Sequence, residues 1–255
     1  MANNKHVVIA GAGPVGCTTA LMLAQADIKV TLLEAESELL LDMRASTFHP
    51  PSLDMLDRLG VTPALIEQGL ITPQFQYRDR LDGLIAEFDL AAISEHTNHP
   101  YRLQAEQYKL TRIIVDRLPD YPHVDFQYNA RATDLEQNDS SVTVHYDTPD
   151  GRQSVRADYF LACDGSNGFA RKILNIEFPG FTFPELFLVV STTDDINEAV
   201  PDMCPVAYIM DPEEWVAVIR APEMWRFMIP TKPEMSDEEI LDLDFLESRI
   251  QGVAP

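Results

Sequence analysis

The first 34 residues constrain this chain more than any other stretch. Lys5–Ala10 (KHVVIA) is a short, β-branched apolar run. It leads directly into Gly11-Ala12-Gly13-Pro14-Val15-Gly16, a G-x-G-x-x-G pattern. A helical segment, Cys17–Ala26, follows, and then a second apolar run, Lys29–Leu33, closed by Glu34. Strand, glycine loop, helix and a second strand ending in an acid about 20 residues on is the context in which this pattern binds a dinucleotide. Gly11 permits the tight turn, Gly13 admits a pyrophosphate where a Cβ would collide, and Gly16 lets the helix lie close to the strand. Pro14 and Val15 open the helix whose free N–H groups and positive dipole end face the phosphates. The Glu34 carboxylate, followed by Ala35, accepts from both ribose hydroxyls and repels a 2′-phosphate. The pattern therefore favours FAD or NAD over NADP. The plain alternative is a glycine-rich turn with no ligand, and it leaves Glu34 unexplained.

A chain of 255 residues supplies one large domain or two small ones. Its formal net charge of −22 argues against nucleic acid and anionic membrane surfaces as partners, since both require basic patches. Half of that charge, −11, falls in Ser191–Pro255, with 15 acidic and 4 basic residues, and reads as a solvated acidic face. Cys17, Cys163 and Cys204 are odd in number and far apart, with no Cys/His cluster, so no metal site is expected and a reducing cytoplasm fits. Cys17 lies in the first turn after the glycine loop, where a thiolate is stabilised, but it reads more simply as a small buried residue. Val7–Ala26 is uncharged over 20 residues, the length of a membrane span. Its glycines and proline fall at a strand-to-helix turn, and no basic segment precedes it, so neither a span nor a signal peptide is expected.

Further along, Pro50–Leu59 and Thr62–Gly69 read as helices, the second opened by Thr-Pro. Gln74–Arg80 and Leu84–Leu90 alternate around Asp82-Gly83 and predict a hairpin leaving the first domain. Glu106–Leu118 has a helical apolar face. Val124–Tyr128, Ser141–Tyr146 and Gln153–Asp158 read as strands, and Tyr159–Cys163 as a buried parallel strand returning to the first sheet. Leu186–Ser191, Val206–Met210, Glu214–Arg220 and Arg226–Ile229 suggest an antiparallel sheet shared with the hairpin. Ser236-Asp237-Glu238-Glu239 opens a final helix through about Ile250.

Three further stretches follow the glycine loop in a telling order. They are Arg44-Ala45-Ser46 with the helix after it, Gln104–Arg112 (QAEQYKLTR), and Cys163-Asp164-Gly165 leading to Phe181-Thr182-Phe183-Pro184-Glu185. Together with the loop, the chain resembles the single-component FAD-dependent aromatic hydroxylases, the group A flavoprotein monooxygenases of the para-hydroxybenzoate hydroxylase type. The resemblance runs over nearly all of the chain. It implies an α/β fold: a Rossmann-like FAD-binding domain with an inserted, mostly antiparallel β-sheet substrate domain. The implied boundaries are 1–71 plus 101–178 for FAD, 72–100 plus 179–235 for substrate, and 236–255 for the start of a C-terminal helix. Gly11, Gly13, Gly16 and Glu34 would hold the ADP half of FAD. Arg44 matches the family arginine near the pyrophosphate and ribityl chain. Gln107 matches the glutamine that touches the flavin chain, and Asp164-Gly165 matches the "DG" motif that serves the flavin and, indirectly, the pyridine nucleotide. For each of these the alternative is an ordinary surface cation, an exposed helix residue or a simple turn.

The implied activity is NAD(P)H-driven hydroxylation of a small phenol-like ring by O₂ through a flavin C4a-hydroperoxide. No catalytic proton acceptor is evident among His96, His99, Tyr77 and Tyr208. Two departures from the family pattern stand out. Gly168 replaces the serine of D-G-x-x-S-x-V-R, removing a hydroxyl that caps the next helix, whereas Arg171 is kept. The family's later G-D motif would follow the last helix and is not found before Pro255. The alternative reading is therefore a truncated, non-catalytic FAD- or nucleotide-binding fragment, with an apolar face of the parallel sheet and the glycine-loop helix exposed and available for self-association. A third reading is an NAD-dependent dehydrogenase using the same fingerprint.

Overall fold

The computed structural model describes residues 5–41, 45–183, 186–212 and 214–254. β1 (His6–Ala10) and β2 (Lys29–Leu33) flank α1 (Pro14–Gln25). The apolar stretch Val7–Ala26 is thus divided between a strand and a helix. Among the described residues no helix is long and apolar enough to cross a membrane. β3 (Thr47–Phe48), α2 (Pro50–Arg58), α3 (Thr62–Ile66) and β4 (Leu70–Thr72) follow. Next come the hairpin β5 (Gln74–Asp79) and β6 (Gly83–Asp89), β7 (Arg102–Gln104) and α4 (Gln107–Val115). β8 (Val124–Gln127), β9 (Arg131–Gln137), β10 (Val142–Thr148), β11 (Gly151–Ala157), β12 (Tyr159–Ala162) and α5 (Phe169–Ile173) lead to the last third. That third contains β13 (Leu186–Thr192), β14 (Val206–Met210), β15 (Val216–Ala221), β16 (Met224–Thr231), α6 (Asp237–Ile240) and α7 (Leu243–Gln251).

The chain forms two units. The first comprises Met1–Ala45, Met55–Leu65 and Glu106–Pro179; the second comprises Ser46–Asp54, Ile66–Ala105 and Gly180–Pro255. This division puts 46–54, 66–71, 101–105 and the final helices with the sheet-rich unit.

In the first unit a parallel sheet runs β12-β1-β2-β8, and a separate antiparallel sheet runs β11-β10-β9. Val8 and Leu33 of the parallel sheet share one core with Val142, Val144 and Tyr146 of the antiparallel sheet and Ala170 of α5. In the second unit the six strands run β13-β16-β15-β14-β5-β6, and β3-β7-β4 form a small sheet of their own. One face of the six-stranded sheet carries Val216, Val218, Trp225, Phe227 and Ile229, which pack with Val253 beyond α7. This confirms the α/β class and the mostly antiparallel second sheet; among the described residues of that six-stranded sheet, only β14 and β5 pair in parallel.

Three expectations are corrected. β12 does return in parallel to β1, but it is not a buried strand. It lies at the sheet edge, where Phe160 turns into the core while Tyr159 and Leu161 are 57% and 36% exposed on the other face. An unbroken apolar run fits burial on both faces, whereas the edge position buries only one. On α1, Val15 and Met22 are exposed as well. Second, the final helix is two helices. Ser236 and Glu239 do make the reciprocal capping box, but α6 stops at Ile240, and the Asp242 carboxylate accepts from Phe245 N at 2.9 Å to start α7. A strong internal cap resets the helix. Third, β9 was not anticipated, because Arg131, Asp134 and Glu136 mask its strand period.

Candidate functional site

The glycine loop is held from below. Gly11 has φ +96°, and its N–H donates to Leu33 O at 2.7 Å, which joins the turn to the end of β2. A Cβ on Gly11 would overlap the Cys163 carbonyl oxygen, and a Cβ on Gly16 would overlap the Gly11 carbonyl oxygen. These two glycines are therefore demanded by packing. Gly13 is different. It is the extended N-cap of α1, and a Cβ there would meet nothing within 4 Å. The space above Gly13 is open, as the approach of a phosphate requires. Pro14 takes the first helical position. Val15 turns to solvent and lines neither cleft described below.

Glu34 reaches back across this loop. One carboxylate oxygen accepts from Ala12 N at 2.7 Å and the other from Glu36 N at 3.0 Å. The acid that would orient a ribose is thus locked by two charge-assisted bonds. Each oxygen keeps a lone pair for a ligand hydroxyl. Cys17 lies beneath the loop, fully buried, and its Sγ donates to Ala12 O at 3.0 Å. Burial, with Glu34 and Cys163 adding to it, pushes its thiol up to about 12. It is a packing residue and not a nucleophile.

Two clefts open from the loop. A smaller one of about 210 Å³ lies between Ala12, Gly13 and Pro14 on one side and Gln107, Tyr108 and Thr111 of α4 on the other, with Glu34 at its edge. Gln107 is the first residue of α4, and its N–H donates to Ala45 O at 3.0 Å, fixing the helix start against the segment after Arg44. The larger groove, about 700 Å³, is within the range of small-molecule sites. Gly11, Gly13, Glu34, Ala35, Asp164 and Gly165 all line it. So do Ala130–Thr133 at the start of β9, which the sequence reading missed because the strand itself was missed. Arg44 lies outside the described residues, as do Pro184 and Glu185 of the later motif.

Asp164 resolves the Gly168 departure. Its carboxylate accepts from Phe169 N at 2.8 Å and Ala170 N at 3.4 Å and so caps α5 in place of the expected serine hydroxyl. Gly168 itself makes no side-chain cap, and a Cβ there would overlap the Asp164 carboxylate. The expected loss of the cap is corrected: glycine at 168 and the inward Asp164 go together. Gly168→Ala is expected to drive Asp164 out and leave α5 uncapped, costing about 1–2 kcal/mol. Gly168→Ser should cost less, because its own hydroxyl can cap. Chemical denaturation of the pair checks that order; equal costs would contradict it.

The remaining candidates scatter. His96 is exposed. His99 is buried and bonds Tyr101 OH through Nδ1 at 2.9 Å, a structural pairing within the second unit. Tyr77 and Tyr208 stack on the six-stranded sheet, with centroids 5.2 Å apart.

Residues 4–249 match the profile of a family described as FAD binding domain. The chain belongs to that family. The match bears out the resemblance to FAD-dependent aromatic hydroxylases. The chain is similar to para-nitrophenol 4-monooxygenase of Pseudomonas sp. (strain WBC-3), 31% identical over 236 residues, which are 92% of this chain and 58% of that protein. It is also similar to 6-hydroxy-3-succinoylpyridine 3-monooxygenase of Pseudomonas putida (strain DSM 28022 / S16), 34% identical over 199 residues, 78% of this chain and 51% of that one. Among solved structures, p-nitrophenol 4-monooxygenase from Pseudomonas putida DLL-E4 superposes with a TM-score of 0.91 at 30% identity, covering 100% of this chain and 64% of the other. The flavin-dependent monooxygenase PieE, solved with FAD and substrate, shares the fold at a TM-score of 0.84 and 15% identity, over 98% of this chain and 47% of its own. The chain spans about half the length of the curated relatives it matches.

Proposed function

We propose that this FAD-binding-domain protein works as an NAD(P)H-driven monooxygenase that adds one oxygen of O₂ to a small phenol-like ring. The observation that carries the reading is the Glu34 carboxylate locked to Ala12 N–H beside the open backbone of Gly13, at the mouth of both clefts. That arrangement suits an adenosine ribose and a pyrophosphate. In this reading the first unit binds FAD and the second presents the substrate surface. The α1 N-terminus, with Arg44, holds the phosphates, Glu34 orients the ribose, and Gln107 and Asp164-Gly165 fix the chain leading to the ring. When bound, FAD would supply the redox chemistry, hydride acceptance from NAD(P)H and O₂ activation. The protein's share is to orient both partners and keep water away from the reacting ring. Free Cys17, Cys163 and Cys204 fit a reducing, cytoplasmic setting.

The test is to reconstitute the purified chain with FAD, follow NADH and NADPH oxidation with and without simple phenols, and analyse the products by mass spectrometry. Phenol-stimulated oxidation with a product one oxygen heavier is expected. Bound FAD without stimulated oxidation would make the chain a non-catalytic FAD-binding fragment instead. Failure to bind FAD would overturn both readings.

A further inference from the structure

The second unit buries a cation against the first of its residues to follow Arg44. Arg226 lies within β16, between β13 and β15, where it pairs with Ser191 and Ile219. Its neighbours Trp225 and Phe227 turn into the apolar core, so Arg226 points to the opposite face of the sheet. It is 7% exposed, and its Nη1 donates to Ser46 Oγ at 3.2 Å. Ser46 is buried as well, and it stands two residues after Arg44 in the chain.

The backbone here is already anchored without Arg226. Ser46 O accepts from Ala105 N at 2.8 Å, Thr47 pairs with Gln104 in the β3–β7 ladder, and Thr47 Oγ1 donates to Gln104 Oε1 at 2.7 Å. All of these residues belong to the second unit. The short sheet therefore explains β3 and leaves the charge at 226 unexplained. Taking a guanidinium out of water is costly, and an apolar side chain of similar length in such a place is often neutral or stabilising for a fold. What the charge adds is a second hold on Ser46, from a strand braced on both sides.

We propose that Arg226 is a positioning residue for the cofactor: by holding Ser46 it fixes the backbone from which Arg44 reaches the pyrophosphate of FAD. A guanidinium binds phosphate through a planar fork, and that fork works only from a root held in place. Binding groups need supporting hydrogen bonds that keep them within about 0.5 Å of the productive geometry. Arg226 and Ser46 supply that support without touching the cofactor. The proposal rests on the FAD reading of the first unit and adds to it a residue of the second unit's sheet.

The test is a double-mutant cycle read by FAD titration of the full chain, with the denaturation midpoint measured alongside. Arg44→Ala removes a charge-assisted phosphate contact and is expected to weaken FAD about 10–100-fold. Arg226→Met, which keeps the length and removes the charge, should weaken FAD about 10-fold and leave the denaturation midpoint unchanged or raised. Ser46→Ala should weaken FAD about 3-fold, and Arg226→Lys, which keeps a donor, should recover part of the Arg226→Met loss. In the Arg44→Ala background both Arg226→Met and Ser46→Ala should change FAD affinity by less than about 2-fold, because the arm they position is gone. Equal weakening with and without Arg44, unchanged FAD affinity in Arg226→Met, or a loss of affinity that merely follows a loss of stability would overturn the role. If Arg226→Met fails to fold, the Ser46→Ala cycle decides. A wild-type chain that takes up FAD while the variants act additively sinks the positioning role alone; a wild-type chain that leaves FAD free sinks the FAD reading with it.

Discussion

Gly16→Ala is expected to destabilise the first unit strongly, whereas Gly13→Ala leaves it folded and weakens its hold on FAD. The two residues are three apart in one loop, but their surroundings are opposite. A Cβ on Gly16 would overlap the Gly11 carbonyl oxygen, which is backbone. Gly11 is held in place, because its N–H is bonded to Leu33 O at 2.7 Å and the Cys163 carbonyl oxygen fills the space where a Cβ on Gly11 would lie. Overpacking usually costs about 1–3 kcal/mol, and a rigid backbone clash lies at or above the top of that range. Against a total stability of about 5–15 kcal/mol, that is a large share. At Gly13 a methyl meets no protein atom within 4 Å, and the residue does not need a positive φ. Its structural cost is the small one of an alanine N-cap, about 1 kcal/mol. The methyl instead fills the space where a pyrophosphate would approach, so FAD affinity should fall at least ~100-fold, equivalent to about 2.7 kcal/mol. Circular dichroism in denaturant and flavin titration separate the two effects. A Gly13→Ala protein with unchanged FAD affinity would show that no phosphate passes over this loop.

Glu34→Gln should be nearly as damaging to FAD binding and milder to the fold. The carboxylate currently satisfies Ala12 N–H with one oxygen and Glu36 N–H with the other. A glutamine offers a single oxygen, so one of these backbone donors must face an NH₂ group. Losing the part-buried Ala12 N–H partner costs about 1–3 kcal/mol, whereas the exposed Glu36 N–H can turn to water at little cost. The ribose loses an anionic acceptor as well, for an expected 10–100-fold weakening of FAD, about 1.4–2.7 kcal/mol. Equilibrium denaturation and FAD titration of the variant read the two parts separately. Wild-type affinity in Glu34→Gln would mean that the acid only organises the loop.

The βαβ start was legible in the sequence because its requirements are local. Gly11, Gly16 and Glu34 each answer a short-range steric or hydrogen-bonding demand that leaves few alternatives. The hairpin around Asp82-Gly83 and the capping box at Ser236 were legible for the same reason. What was lost depended on contacts distant in sequence. The burial of β12 turns on whether a neighbour covers its outer face, and Tyr159 and Leu161 carry no mark of that. Gly168 looked like a missing cap until Asp164, four residues earlier, was seen to occupy the same space.

The most direct measurement is FAD binding by the purified 255-residue chain, followed through the flavin's visible spectrum and fluorescence, with Gly13→Ala alongside. The account predicts one FAD per wild-type chain, a perturbed flavin spectrum, and a Gly13→Ala protein that is folded and colourless. A wild-type chain that is folded by circular dichroism and leaves added FAD free in solution would contradict it.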